Sequence, residues 1–156
     1  MKDQSKEDKF QTTIASYMAK CYPAALWTHI SNKPAEDTKL DIKGEIYSAA
    51  ADLLKRKGVK SGVPVLLIFD RYGTWSGLAI ELKVDQDKPT EEQLHWLKML
   101  HNRNWATLVS DDLDVVLKGI NDYYSSKFVR RQAGDWSGYT PSEVVIVETK
   151  SKKKKP

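Results

Sequence analysis

Glu81-Leu82-Lys83 is the tripeptide whose residue types and spacing best suit chemistry. Because successive side chains alternate along a strand, Glu81 and Lys83 would lie on one face and Leu82 on the other. The neighbouring residues are strongly apolar, and neither charge is expected to be buried there without a partner. The tripeptide could belong to a functional site, or it could be an ion pair on a solvated sheet face, and the tripeptide alone does not decide between these interpretations.

The elements around this tripeptide are predicted from local patterns. Residues 77–84 are predicted to form a strand that pairs as a hairpin with the apolar run 63–69, where Pro64 must stand at the start because it has no amide to donate. A helix then follows Thr90, with Thr90 as N-cap and Gln93 completing a capping box.

The remaining elements give an α/β fold with a mixed central sheet flanked by helices. Their order is αβαββαβα. The further predicted elements are a helix over 6–20 capped by Ser5, a strand over 25–30, a helix over 43–57 that ends at Gly58, a strand over 105–109, and a helix from Asp111 or Asp112 to Tyr124. Residues 1–126 are predicted to be one domain and 127–156 a C-terminal extension with one short strand at 144–147, a lysine-rich tail and partial disorder.

Composition limits the class of protein. The chain has 156 residues, 40% of them hydrophobic and 29% charged, without an apolar run long enough to span a bilayer or an apolar signal segment. We therefore expect a cytoplasmic protein with no membrane contact. A single cysteine excludes an internal disulfide and a cysteine-rich zinc site. Subtracting the five lysines of residues 150–155 from the formal net charge of +4 leaves −1, so the basic character belongs to the tail.

Several motifs together resemble the VRR-NUC branch of the PD-(D/E)xK nucleases, which have a restriction-endonuclease-like core. The resemblance spans residues 6–125. Its motifs are Gly-Val-Pro at 62–64, Glu-Leu-Lys at 81–83, the helix with Gln93 and an apolar-aromatic pair, Glu7 followed by Gln11, and the His29-Ile-Ser-Asn32 turn.

The resemblance implies a site for Mg²⁺ or Mn²⁺ and no small-molecule cofactor. It makes Glu81 and the main-chain carbonyl of Leu82 metal ligands, and hard cations of this kind do prefer oxygen donors. Lys83 would hold the attacking water or a phosphate oxygen, Gln93 would orient that water, and Glu7 would contribute from the first helix.

Val65 occupies the position where the family carries a metal-binding aspartate. Valine cannot coordinate a metal, so either another acid compensates, or catalysis is crippled, or the valine is a change made to silence the enzyme. Asp70 is rejected because it lies five residues along the same strand, on the opposite face. Four acids stay open as substitutes or as ordinary surface residues: Glu7, Asp37, Asp41 and Glu45.

Contacts with DNA are expected from four residues. Lys55, Lys57 and Lys60 stand with Arg56 before the first hairpin strand, where they could bind phosphates or simply complement a helix dipole, and Asn32 belongs to the family turn. The five tryptophans could stack on bases. Packing is the better account of Trp96 and Trp105, which leaves Trp75 and Trp136 as the exposed candidates.

The sequence therefore predicts a metal-dependent DNA endonuclease of the structure-specific, nicking or Holliday-junction-resolving type. The resemblance implies a homodimer from a bacterial or phage-infected cell, acting on duplex, branched or junction DNA. The alternatives are a catalytically inactive nuclease fold that binds DNA and a protein that binds a partner through its C-terminal tail.

Overall fold

The computed structural model describes residues 5–31, 39–40, 46–85 and 87–127, and for residues 39–40 and 46–47 it describes only the backbone. The elements are α1 Lys6–Cys21, β1 Trp27–His29, β2 Lys39–Leu40, β3 Ile46–Tyr47, α2 Ala49–Arg56, β4 Leu66–Ile68, β5 Leu78–Leu82, α3 Glu91–His101, β6 Ala106–Ser110 and α4 Leu113–Tyr124.

Strands β1, β4, β5 and β6 form one mixed sheet in the spatial order β1-β4-β5-β6. The β1–β4 and β4–β5 pairs are antiparallel, and β5 and β6 are parallel. Both the mixed sheet and the predicted hairpin of β4 with β5 are confirmed.

The helix starts read from the sequence are confirmed by their capping hydrogen bonds. The Ser5 side chain accepts from the Asp8 amide at the start of α1, and Asp112 caps α4. Helix α3 begins with a complete capping box, in which Thr90 and Gln93 each bond the other's backbone amide. Such caps are local, which is why sequence alone located them.

Helix α2 is shorter than predicted. It begins at Ala49, because Ile46 and Tyr47 pair with Leu40 and Lys39 in a second two-stranded sheet. The order along the chain is therefore αβββαββαβα, two short strands more than predicted. The predicted stop is confirmed, since Gly58 has the positive φ of 89° that ends helices. The C-terminal extension from residue 128 onward, with its predicted strand and Trp136, lies outside the described residues.

Helices cover both faces of the sheet. Alternate residues of the strands, including Leu66, Ile80 and Leu82, pack with Ile14 of α1 and Ile120 of α4 in the main core. Helix α3 contacts β5 and β6 and buries Leu94 and Leu97. Since side chains alternate along β5, Glu81 points to the α3 face. No helix in the described part of the chain has the length and hydropathy needed to cross a membrane.

Candidate active site

Glu81 is almost completely buried, with 1% of its surface exposed, although it is charged in water at neutral pH. It lies on β5 between β4 and β6, so strands flank it on both sides. The alternative of an ion pair on a solvated sheet face is therefore wrong. A carboxyl group in such a position requires hydrogen-bond donors.

Three donors surround the carboxylate of Glu81. The Gln93 Nε2 amide donates to Oε1 at 2.6 Å, the Lys83 Nζ ammonium lies 3.2 Å from the same oxygen, and the Val65 backbone amide donates to Oε2 at 3.3 Å. Lys83 Nζ also donates to Gln93 Oε1 at 2.7 Å. Glu81, Lys83 and Gln93 thus form a closed triangle in which each side chain contacts the other two. The predicted placement of Glu81 and Lys83 on one face of the strand agrees with this contact.

Burial dominates the titration of Glu81. Removal of water raises the pKa of the Glu81 carboxyl to about 7 from 4.5, and the negative charge of Glu7 raises the pKa further. The ammonium of Lys83 and the Val65 amide act in the opposite direction and lower the pKa. Near neutral pH Glu81 is therefore divided between its acid and carboxylate forms, a property typical of functional carboxyl groups.

The first turn of α3 holds Gln93 in place. Its Oε1 accepts from the Thr90 amide at 2.8 Å as part of the capping box, so the predicted cap is confirmed. The loop before β4 packs tightly against this turn. Gly62 has a φ of 77°, and a Cβ there would lie 2.6 Å from the Glu92 carbonyl carbon. The Trp96 indole also donates to the Ser61 carbonyl at 2.9 Å, so loop and helix are fixed together.

Val65 lies beside Glu81, where the resemblance placed it. The antiparallel register pairs Leu66 with Ile80, so one residue further it sets Val65 opposite Glu81 with both side chains on the same face. Val65 is 5% exposed. A carboxylate at this position would therefore share the site with Glu81, and the aliphatic side chain leaves that place without an oxygen donor.

Backbone geometry leaves the Leu82 carbonyl oxygen available as a metal ligand. The Lys83 amide bonds the Ser110 carbonyl of β6 at 2.9 Å. Since N–H and C=O of a trans peptide point in opposite directions, the Leu82 carbonyl points toward β4. The register places Pro64 opposite it there, and proline has no N–H to donate.

Glu7 also reaches the site from α1. The Lys6 ammonium contacts Asp85 after β5 at 2.7 Å, and the Gln11 amide donates to Glu7 at 3.0 Å. Glu7 and the triangle line a groove of about 520 Å³ at the end of β5, whose lining residues are Ser5, Glu7, Asp8, Gln11, His29, Ile30, Ser31, Val65, Glu81, Leu82, Lys83, Val84, Asp87 and Gln93.

The groove is lined by oxygen atoms of the kinds that bind hard cations. Among the described residues no three of the His, Cys, Asp and Glu side chains cluster closely enough to hold a metal. Glu81, Glu7 and the Leu82 carbonyl are nevertheless the donor types that Mg²⁺ takes when water and substrate phosphates complete its shell. These residues thus fit an ion bound together with substrate.

The other candidate site residues that the structure describes lie outside the Glu81 groove. The Asp70 carboxylate accepts from the Leu26 amide and, at 2.7 Å, from the Tyr124 hydroxyl at the far end of β4, so its rejection is confirmed. Lys55 and Lys57 are exposed at the end of α2, outside the groove lining, and Lys60 lines a different groove along α3. Asn32, Asp37, Asp41 and Glu45 lie outside the described residues.

Two tryptophan expectations can be compared with the structure. Trp75, predicted as exposed, is partly buried and packs against the main core. Trp105 packs on Gly77, as predicted, where a Cβ would lie 2.6 Å from its ring.

Sequence reasoning missed two acids of the groove, Asp8 and Asp87. Asp8 could have been found, since it follows Glu7 on the first helix. Asp87 stands in a loop without periodicity, and nothing in the local sequence marks it.

Fold and site together define the class. A mixed sheet carrying a buried Glu-x-Lys pair, completed by a glutamine from the next helix, is the arrangement of a restriction-endonuclease-like nuclease core. The VRR-NUC domain model matches residues 5–111, and the chain belongs to that family.

A solved structure described as a VRR_NUC domain protein is similar in fold. It has a TM-score of 0.56 and 25% sequence identity, over 79% of this chain and 91% of that chain. Comparison with curated proteins finds no match.

Proposed function

We propose that this protein is a metal-dependent deoxyribonuclease that hydrolyses phosphodiester bonds in branched or junction DNA. The family supports nuclease chemistry in general, and the closed triangle of Glu81, Lys83 and Gln93 is the single observation that carries the proposal to this chain. In this triangle the Gln93 amide contacts both charged groups, so the carboxylate and the ammonium are held in a fixed geometry at the groove.

Each member of the triangle has a task in phosphodiester hydrolysis. The Lys83 ammonium is the one cation lining the described part of the groove, so it can hold a non-bridging phosphate oxygen or the attacking water. Gln93 keeps Lys83 and Glu81 at fixed separation through its two amide atoms. Glu81, with its pKa near 7, takes up or releases a proton at physiological pH.

The charge of the groove supports a need for Mg²⁺ or Mn²⁺. Four acids, Glu7, Asp8, Glu81 and Asp87, line it against Lys83, and a DNA phosphate would be repelled without a cation. We assign Glu81, the Leu82 carbonyl and Glu7 as the groups that would hold the ion. The chemistry supplied by such an ion is neutralisation of phosphate charge and acidification of a bound water.

Cleavage assays test the proposal directly. Labelled duplex, single-stranded and four-way-junction DNA are incubated with the protein and Mg²⁺ or Mn²⁺, beside the variants Glu81→Gln and Glu92→Gln. Glu92 is exposed on α3, so its variant controls for loss of an acid. We expect metal-dependent cutting that Glu81→Gln abolishes and Glu92→Gln retains. Equal cutting by both variants contradicts the proposal.

A second candidate function follows from Val65. A nuclease fold without this carboxylate could bind DNA or a partner without cleaving it, and cutting only by a Val65→Asp variant would favour this second function. For either function we propose a homodimer in the cytoplasm of a bacterial or phage-infected cell, since two copies would address a two-fold symmetric junction. Sedimentation of the full chain tests the dimer.

A further inference from the structure

The groove at Glu81 adjoins a second cavity between α1 and the sheet. This cavity has a volume of about 510 Å³, within the range of small-molecule binding sites. It shares Asp8, Gln11, His29, Val65 and Leu82 with the Glu81 groove, so the two cavities are adjacent. We call the second cavity the α1 cavity; it is lined by Asp8, Gln11, Thr12, Ala15, Trp27, His29, Val65, Leu66 and Leu82.

The two walls of the α1 cavity differ in chemistry. Trp27, half-buried on the edge strand β1, gives one wall an indole ring. Asp8, Gln11 and Thr12 have the three- and four-residue spacing of one helix face and give the other wall a carboxylate, an amide and a hydroxyl. An aromatic surface combined with polar groups is how proteins bind an unstacked nucleobase.

Charge favours a base over a phosphate in this cavity. Asp8 is an acid, Glu7 lies next to it on α1, and no lysine or arginine is among the lining residues of the described chain. A phosphate would be repelled, whereas a base is neutral. A carboxylate only accepts hydrogen bonds, so Asp8 suits the exocyclic amino group of adenine, cytosine or guanine.

The distance between the cavity and Glu81 also suits a strand of nucleic acid. Trp27 pairs with Ile68 of β4, and Ile68 pairs with Leu78 of β5, three residues before Glu81. Trp27 therefore lies roughly 10 Å across the sheet and roughly 10 Å along it from Glu81, and its side chain is on the opposite face. A strand whose phosphate is held at Lys83 could reach the cavity past the end of β5, where Val65 and Leu82 line both cavities, with a base more than one nucleotide away. A paired and stacked base cannot enter it.

We propose that the α1 cavity binds an unpaired nucleotide of the DNA substrate, with Trp27 stacked on the base and Asp8 bonded to its edge. This inference rests on the proposed nuclease function and narrows its substrate to DNA with an unpaired nucleotide near the scissile phosphate.

Binding to two probes tests the inference. One probe is a labelled duplex with a short single-stranded flap, and the other is the same duplex with a blunt end, both titrated by fluorescence anisotropy with the full chain in Mg²⁺. We expect tighter binding of the flap. Trp27→Leu should weaken flap binding roughly tenfold, the effect typical of losing one stacked base, and leave blunt binding unchanged. Trp27→Phe, which keeps a ring, should retain most of the preference.

Matched variants separate a local effect from misfolding. Asp8→Asn changes a half-buried residue of the cavity and should weaken binding of the flap probe, whereas Leu26→Ala, beside Trp27 and 65% exposed, should leave binding unchanged. Equal weakening of both probes by Trp27→Leu, an unchanged flap preference, or no binding to either probe overturns the inference. If the wild-type protein cuts no DNA but Trp27→Leu still removes the flap preference, the cavity inference is supported and the nuclease proposal is refuted. If the wild-type protein cuts DNA but Trp27→Leu leaves the flap preference unchanged, the nuclease proposal is supported and the cavity inference is refuted.

Discussion

Val65→Asp is the substitution that tests most directly whether this site holds a cation. It places a second carboxylate opposite Glu81 on the same face of the sheet, in a position that is 5% exposed. Without metal, two effects oppose folding: the variant loses the burial of a valine, about 1.5–3 kcal/mol, and sets a like charge beside Glu81. We expect the free energy of unfolding to fall by about 2–4 kcal/mol.

Divalent cations should reverse part of this loss. A carboxylate that contacts the ion directly should raise affinity for Mg²⁺ at least as much as the residues that only support metal ligands, whose effect is typically roughly 10–100-fold. An ion that binds only the folded state stabilises it by about 2.7 kcal/mol at one hundred times its dissociation constant. The Val65→Asp variant should therefore regain stability with Mg²⁺, and wild-type protein should change less.

Urea unfolding with and without Mg²⁺ measures both effects, and isothermal titration calorimetry gives the affinity. Val65→Asn is the matched control, because it has nearly the same shape and polarity as the aspartate without its charge. The reasoning is refuted if the aspartate and asparagine variants respond equally to Mg²⁺, since the added carboxylate would then not reach the ion.

Three further predictions follow from the same groove. The pKa of Glu81 is about 7 in the folded protein against the ordinary value of 4.5, so Glu81 stabilises the fold fully below pH 4.5 and this stabilisation is lost as the pH rises through 7. Glu81→Gln should abolish this loss of about 3 kcal/mol. The urea midpoints of the variant should therefore differ less between pH 5 and 8 than those of wild-type protein. Gly62→Ala should destabilise the fold more than Gly58→Ala, as measured by urea unfolding. Both glycines have a positive φ, at which a side chain costs about 1–2 kcal/mol, but only a Cβ at position 62 meets backbone atoms of α3. Equal losses of stability in the two variants would contradict this prediction. Glu7→Gln should lower the pKa of Glu81 by removing a negative charge, measured as an acid shift of the Glu81 carboxyl resonance in NMR; an unchanged titration would place Glu7 too far away to bind the same ion.

Much of the fold could be predicted because its signals are local. The capping box of Thr90 and Gln93 and the apolar hairpin strands specify their elements within a few residues. Strands β2 and β3 have two residues each, too short for any periodicity, and their pairing shortens α2 at its start. That boundary depends on contacts between separate segments, which local patterns do not contain.

The site likewise has a part that could be predicted from local sequence and a part that could not. Glu81, Lys83 and Gln93 could be named from their motifs, but the burial of Glu81 could not, because it results from β6 pairing beside β5 and from α3 packing above. The α1 cavity is further from prediction, since Asp8 and Trp27 face each other only after α1 packs on the sheet. The sequence has five tryptophans, and their local sequences did not show that Trp27 was the one to select for base stacking.

The dual role of Gln93 explains why this helix begins with a glutamine. Either glutamate or glutamine completes a capping box, so helix stability alone does not distinguish them. Gln93 Oε1 accepts from both the Thr90 amide and the Lys83 ammonium, which a carboxylate could do equally well. Its Nε2, however, donates to Glu81 at 2.6 Å, and a glutamate would replace that bond with repulsion between two neighbouring acids. The carboxylate of Glu81 therefore favours glutamine over glutamate at this capping position. As a result, the start of α3 and the geometry of the site cannot vary independently.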